Sequence, residues 1–155
     1  MNLKKIITYL TTLNGEAEDA AKEKKKVVDI FDADKTTGEI LFRKEFLILD
    51  HEIKGSIAFK GRYLAYKDLI LTSKGIYIVG VPSIEYFDYG NVSSITLAEP
   101  VIRLTMSNKD LYIYETTLSN GYTGHNIRAN GQIVKGRKDD FLKIKTILEA
   151  HGLHQ

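Results

Sequence analysis

The chain is expected to fold as a mainly β domain of the α+β class: an antiparallel sheet of about seven strands, an N-terminal helical segment and one C-terminal helix. Three observations predict it. Between Lys67 and Met106, short β-type runs (Asp68 to Thr72, Ile76 to Val79, Ile84 to Phe87, Val92 to Leu97, Val101 to Met106) follow one another through tight turns. Strict alternation in Val101 to Met106 puts Ile102, Leu104 and Met106 on one face and Val101, Arg103 and Thr105 on the other, so one face is buried and one is wet. Near the end, Phe141, Ile144, Leu148 and His151 form one stripe of a helix over 139–151, with acids at its start and Gly152 just past it.

Taken in order, Leu3, Ile6, Ile7, Leu10 and Leu13 fall on one side of a helix, and Asn14-Gly15 reads as its stop. Glu16 to Lys26 reads as a second helix, with Glu16, Glu18 and Asp19 in its first turn and Lys24, Lys25 and Lys26 at its far end, which complements the helix dipole. Residues 1–26 are therefore an N-terminal helical segment, and 27–155 the β domain. Val27, Val28, Ile30 and Phe31 either continue the helix or form a strand paired with Ile40 to Leu49; the Thr37-Gly38-Glu39 ending of the intervening turn favours the hairpin. Gly55 to Phe59 and Tyr63 to Thr72 read as strands broken at Gly61, and Leu111 to Tyr114 alternates after a Ser107-Asn108-Lys109-Asp110 turn. Residues 118–136 are rich in glycine and read as a long loop centred on Asn130-Gly131.

Composition narrows the function classes. The 155 residues contain no cysteine, which excludes disulfides, thiolate-bound zinc and a cysteine nucleophile and suits a cytoplasmic location. Lys and Arg number 22 against 20 acids, a net charge of +2 that does not by itself argue for nucleic acid. Apolar runs are interrupted by charges, as by Arg43, Lys44 and Glu45 within Ile40 to Leu49, so no transmembrane segment is expected, and Met1 to Leu13 makes a poor signal peptide.

No G-x-S-x-G elbow, phosphate loop or dinucleotide fingerprint occurs, so no catalytic residue, enzyme activity or cofactor is assigned. His51-Glu52-Ile53-Lys54-Gly55 opens like a zinc-protease helix but has glycine where the second histidine is needed. Asp32, Asp34 and Thr36 alternate as in a calcium loop, yet Gly38 comes one place late and Arg43 stands where the bidentate acid belongs. No metal ligands are assigned.

Leu69-Ile70-Leu71-Thr72-Ser73-Lys74-Gly75-Ile76-Tyr77-Ile78, with its leucine-threonine-x-lysine hairpin, is followed by Tyr89-Gly90-Asn91-Val92-Ser93-Ser94-Ile95 and, later, by a lone amphipathic helix. This succession resembles the pleckstrin-homology-like (PH-like) domain, in particular its bacterial branch, over residues 40–151. The resemblance implies seven strands bent into a partly open barrel that the last helix plugs at one end. It also implies a non-enzymatic binding module that recognises a protein partner or a second copy of itself. The chain departs from the eukaryotic pattern in lacking a tryptophan in the last helix and in the length of the 118–136 segment.

Three sets of residues are candidate contact groups. Tyr86, Phe87 and Tyr89 are aromatics suited to a protein partner, with the alternation of Tyr86 and Phe87 placing one of that pair in the core. Lys54 with Lys60-Gly61-Arg62 echoes the spaced basic residues that hold inositol phosphates in some PH domains, a candidate site for phosphate or an anionic lipid headgroup whose ordinary alternative is a solvated turn. Arg128, Arg137 and Lys138 lie in the most basic part of the chain, a surface for an acidic partner; with only Tyr122 there to stack on a base, nucleic acid is the less expected occupant.

Overall fold

The computed structural model describes the backbone of residues 3–53, 63–98, 101–115 and 132–153, and the side chains of 18–53, 64–98, 101–115 and 138–153. A long helix, α1 (Leu3–Ala33), precedes seven strands: β1 (Ile40–Leu49), β2 (Tyr66–Thr72), β3 (Ile76–Val79), β4 (Ile84–Phe87), β5 (Val92–Ala98), β6 (Val101–Met106) and β7 (Asp110–Glu115). Helix α2 (Gln132–Ala150) follows, and single 3-10 turns occur at Tyr63–Ala65 and Tyr89–Asn91. The expected class is met: one curled antiparallel sheet in the order β4-β3-β2-β1-β7-β6-β5, with a helix before it and one after it.

Two expectations about the helices are corrected. Helix α1 runs without a break through Asn14-Gly15, and Val27 to Phe31 continue it instead of opening a hairpin. Val27, Val28 and Phe31 recur at helical spacing and pack on Ile70 and Val79 of the sheet, a tertiary gain that overrides β propensity. Likewise α2 starts at Gln132, ahead of Asp139, and takes in Gly136. Asp140, read from sequence as a first-turn acid, lies inside the helix and is held by Lys44. The strand expected at Gly55 to Phe59, and residues 118–131 of the expected loop, lie outside the described residues.

The turn between α1 and β1 is anchored at both ends. Asp34 accepts hydrogen bonds from the Thr36 N–H and hydroxyl, closing the local turn. Gly38 adopts φ +95°, and a side chain there would strike Ser73 and Lys74, so this position needs glycine. The Ser73 N–H donates to the Glu39 carbonyl at 2.8 Å, the Glu39 N–H donates to the Ser73 hydroxyl at 2.9 Å, and the Lys74 ammonium donates to the Thr36 carbonyl at 2.7 Å. These bonds tie the entry of β1 to the β2–β3 turn.

Alternation divides the sheet into an apolar inner face and an outer face that is only partly wet, a correction to the expectation from β6: Val101 on the outer face is buried while Arg103 is exposed. The inner face carries Phe46 and Ile48 of β1, Leu69 and Leu71 of β2, Ile76 and Ile78 of β3, Ile95 of β5, Ile102 and Leu104 of β6, and Leu111 and Ile113 of β7. Helix α2 lays Ile144 and Leu148 into this face, with Phe141 and Ile147 at its margin. On the outer face α1 covers Ile70 and Val79, while Leu47, Val101 and Tyr114 pack beneath Ile53, Ala65 and Tyr66. Charged groups fix α1 in place: Lys24 reaches Glu45 and Asp68, and Arg43 bonds to Asp32 at 2.7 Å and to Asp68 at 3.4 Å. Asp32 thus bonds to the Arg43 guanidinium, and Asp34 to its own turn.

Two substitutions on α2 check its docking. Leu148→Ala should lower the unfolding free energy by about 3 kcal/mol in chemical denaturation, because it leaves a hole among fully buried groups. Leu142→Ala, on the exposed side of the same helix, should change it by less than about 0.5 kcal/mol. Equal effects would mean that α2 does not bury that stripe.

Candidate functional site: the open mouth of the sheet

One side of the curled sheet holds a cavity of about 520 Å³. Its walls come from the end of β1, the Tyr63–Ala65 turn, the β3–β4 connection and the start of β7, and none comes from α2. Ile48, Ile78 and Leu111, inward-facing by strand alternation, make an apolar floor that continues the core. Leu49, Leu64, Val81 and Pro82 form the lip, and Leu64 is 53% exposed. The Val81–Pro82 bond is cis. A volume within the range of about 300–1,000 Å³ and a mostly apolar lining match a ligand-sized recess.

Four charged residues stand around the recess: Asp50, Lys67, Glu85 and Lys109. Glu85 on β4 accepts a hydrogen bond from Lys109, in the β6–β7 turn, at 3.0 Å, while the Lys67 ammonium on β2 is 3.9 Å away. Asp50 pairs with the neighbouring His51 ring at 2.9 Å, a hydrogen bond that holds the Asp50 carboxyl below the usual range. Lys109 also lies over the Phe87 ring. The Glu85–Lys109 pair joins β4, one edge of the sheet, to the strand system of the other edge, so it forms part of the recess wall.

A second charged cluster sits where α2 meets the sheet. The Lys44 ammonium donates to Asp140 Oδ2 at 2.6 Å and to Glu115 Oε2 at 2.9 Å, with the two carboxylate side chains only 10% and 8% exposed. Burial works against the Lys44 charge, but the hydrogen bonds to Asp140 and Glu115 outweigh it and raise the Lys44 pKa. Glu115 Oε1 is buried without a hydrogen-bond partner. Two carboxylates around one ammonium form a structural clamp on α2. Among the described residues, no group of three or more histidine or acidic side chains is placed to hold a metal ion.

The aromatics expected to meet a partner separate into different roles. Tyr89 is buried, stacks on His151 of the C-terminal region and donates its hydroxyl to the Thr72 carbonyl, so it is a core residue and not a surface contact. Phe87 is half-buried against the inner core. Tyr86 alone of the three is exposed, at 46%, yet its ring lies against Gly75, where an added Cβ would come within 2.5 Å of it, and packs on Tyr77. The Tyr86 hydroxyl is within reach of both the Lys74 carbonyl and the Asp88 carboxylate, and the Asp88 hydrogen bond raises its pKa.

Lys138 is exposed on α2. Lys54, Lys60, Arg62, Arg128 and the Arg137 side chain lie outside the described residues. Sequence reasoning missed Lys67, Glu85 and Lys109, which come from three separate strands or turns. The signal in the sequence was that Lys67 and Glu85 take inward-facing positions of their strands, where alternation calls for apolar residues.

Two outcomes check these assignments. Lys44→Met should destabilise the fold by about 2 kcal/mol, as two buried carboxylates lose their shared cation at a partly solvated site, and adding Glu115→Gln should recover part of that loss. A further loss in the double variant would mean that charge does not govern the clamp. Burial, as the main cause, pushes the Tyr89 hydroxyl up to about 12. Because the folded state favours the protonated phenol, its contribution to stability is intact below about pH 10 and falls as pH rises toward 12. An ultraviolet titration should show a late tyrosine ionisation that is missing in Tyr89→Phe. Compared with family models, curated proteins and solved structures, the chain matches none.

Proposed function

We propose that this chain is a PH-like, non-catalytic binding domain that docks a protein partner, or a second copy of itself, at the open mouth of its sheet. The observation that carries the reading is the 520 Å³ apolar recess on the side that α2 leaves uncovered. The seven strands, their curl and the last helix in the inner face support the PH-like assignment, since the resemblance implies a bent seven-stranded sheet plugged by that helix. Exposed Leu64 and Pro82 on the lip favour an apolar protein contact, because such groups gain by leaving water. The described lysines of the mouth face Glu85, which favours a protein contact over a strongly anionic lipid surface. No helix among the described residues is long and apolar enough to cross a membrane.

Photo-crosslinking tests the reading. A benzophenone amino acid in place of Leu64 should give a discrete adduct in cells that make the protein, whereas the same group in place of Leu142, exposed on α2, should not. An adduct of twice the chain mass identifies self-association. Equal labelling from both positions, or adducts with lipid only, would overturn the proposal.

A further inference from the structure

Among the described charged groups of the mouth, Lys67 is the one that makes no hydrogen bond. Lys67 is an ammonium with three donors, and its side chain is only 16% exposed. Its stem crosses Gly80, where an added Cβ would come within 2.5 Å of Lys67 Cγ, so the lysine occupies the groove left by the absent side chain. That packing fixes where the ammonium sits. The nearest acid is Glu85, at 3.9 Å, too far for a hydrogen bond, and the other oxygen of Glu85 is taken by Lys109 at 3.0 Å. Asp50, the remaining carboxylate of the mouth, is paired with His51. Among the described residues Lys67 therefore has no hydrogen-bond acceptor, while apolar Ile48, Ile78 and Leu111 stand beside it.

Two unmet demands lie side by side. A purely apolar occupant would cover exposed Leu64 and Pro82 on the lip and leave a desolvated ammonium without an acceptor, which is costly. A compact, fully polar anion such as phosphate would satisfy Lys67 but keep water on the apolar walls. We propose, resting on the reading of the mouth as a docking site, that its occupant is an apolar side chain adjoining a carboxylate in a protein partner: the apolar group enters the recess and the carboxylate accepts from Lys67. Lys67 rather than Lys109 is the receptor group, because Lys109 already spends one donor on Glu85 and its side chain is 38% exposed, so water satisfies its remaining donors.

A matched pair of probes tests this in the full chain. Hydrocinnamate and hydrocinnamyl alcohol share an apolar body and differ in the carboxylate; binding is read from the methyl resonances of Ile48, Ile78 and Leu111. The acid should bind about tenfold more tightly than the alcohol, the gain expected of one charge-assisted hydrogen bond. Lys67→Met should reduce the acid to the affinity of the alcohol, and Lys109→Met should retain the preference. If Lys67→Met does not fold, Lys67→Gln with the same acid and alcohol replaces it.

Equal affinity of acid and alcohol would overturn the carboxylate proposal and leave the apolar docking site standing. Absence of any shift at these methyl groups would overturn both. Displacement of the acid by inorganic phosphate at comparable concentration would also overturn it, because the site would then recognise an anion without regard to its apolar part.

Discussion

The structure depends on a conflict between chain connectivity and sheet order. Strands β4 and β5 are consecutive in sequence, yet they occupy the two outer positions of a seven-stranded sheet. A flat sheet would hold them six spacings, roughly 29 Å, apart. The four residues from Asp88 to Asn91 that join them span at most about 18 Å from the last residue of β4 to the first of β5. The sheet must therefore curl until its edges approach. The link is braced where they meet, since Ser107 donates its N–H to the Asn91 carbonyl and Tyr89 is bonded to the end of β2.

Curling makes an inner face that a single helix can fill only in part. Helix α2 brings Ile144 and Leu148 to that face and is clamped through Asp140 to Lys44, so the hydrophobic and charged contributions act on the same helix. Away from α2, the apolar floor made by Ile48, Ile78 and Leu111 continues into a recess bordered by ion pairs instead of backbone. Opposite the core, α1 seals the outer face with a small apolar cluster around Phe31 and with the Lys24 and Arg43 pairs. These pairs have partly buried members, which makes them firmer than fully solvated ones.

The two charged clusters show how similar residues serve different ends. At α2 the lysine is shared by two carboxylates, and the surplus is an acceptor, Glu115 Oε1. At the mouth one carboxylate stands between two lysines, and the surplus is a donor, Lys67. The first cluster is enclosed by the helix it anchors and is structural. The second borders a cavity, where an unused donor is available to whatever enters.

By itself the sequence determined the class of the fold, the positions of most strands and the buried stripe of the last helix. Those features rest on alternation and on 3.6-residue periodicity, which are written within a few neighbouring residues: Ile102, Leu104 and Met106 declare their shared face without reference to any other strand. It did not determine whether Val27 to Phe31 form helix or strand, because both patterns suit those residues and the choice lies with Ile70 and Val79, some forty to fifty residues away. Nor did it reveal that Tyr89 belongs to the core, since its stacking partner, His151, is at the far end of the chain. Only the tertiary structure decided the candidate site, for the same reason. Lys67, Glu85 and Lys109 share no motif and no spacing, and they become one site because the curl brings β2, β4 and the β6–β7 turn around a common opening.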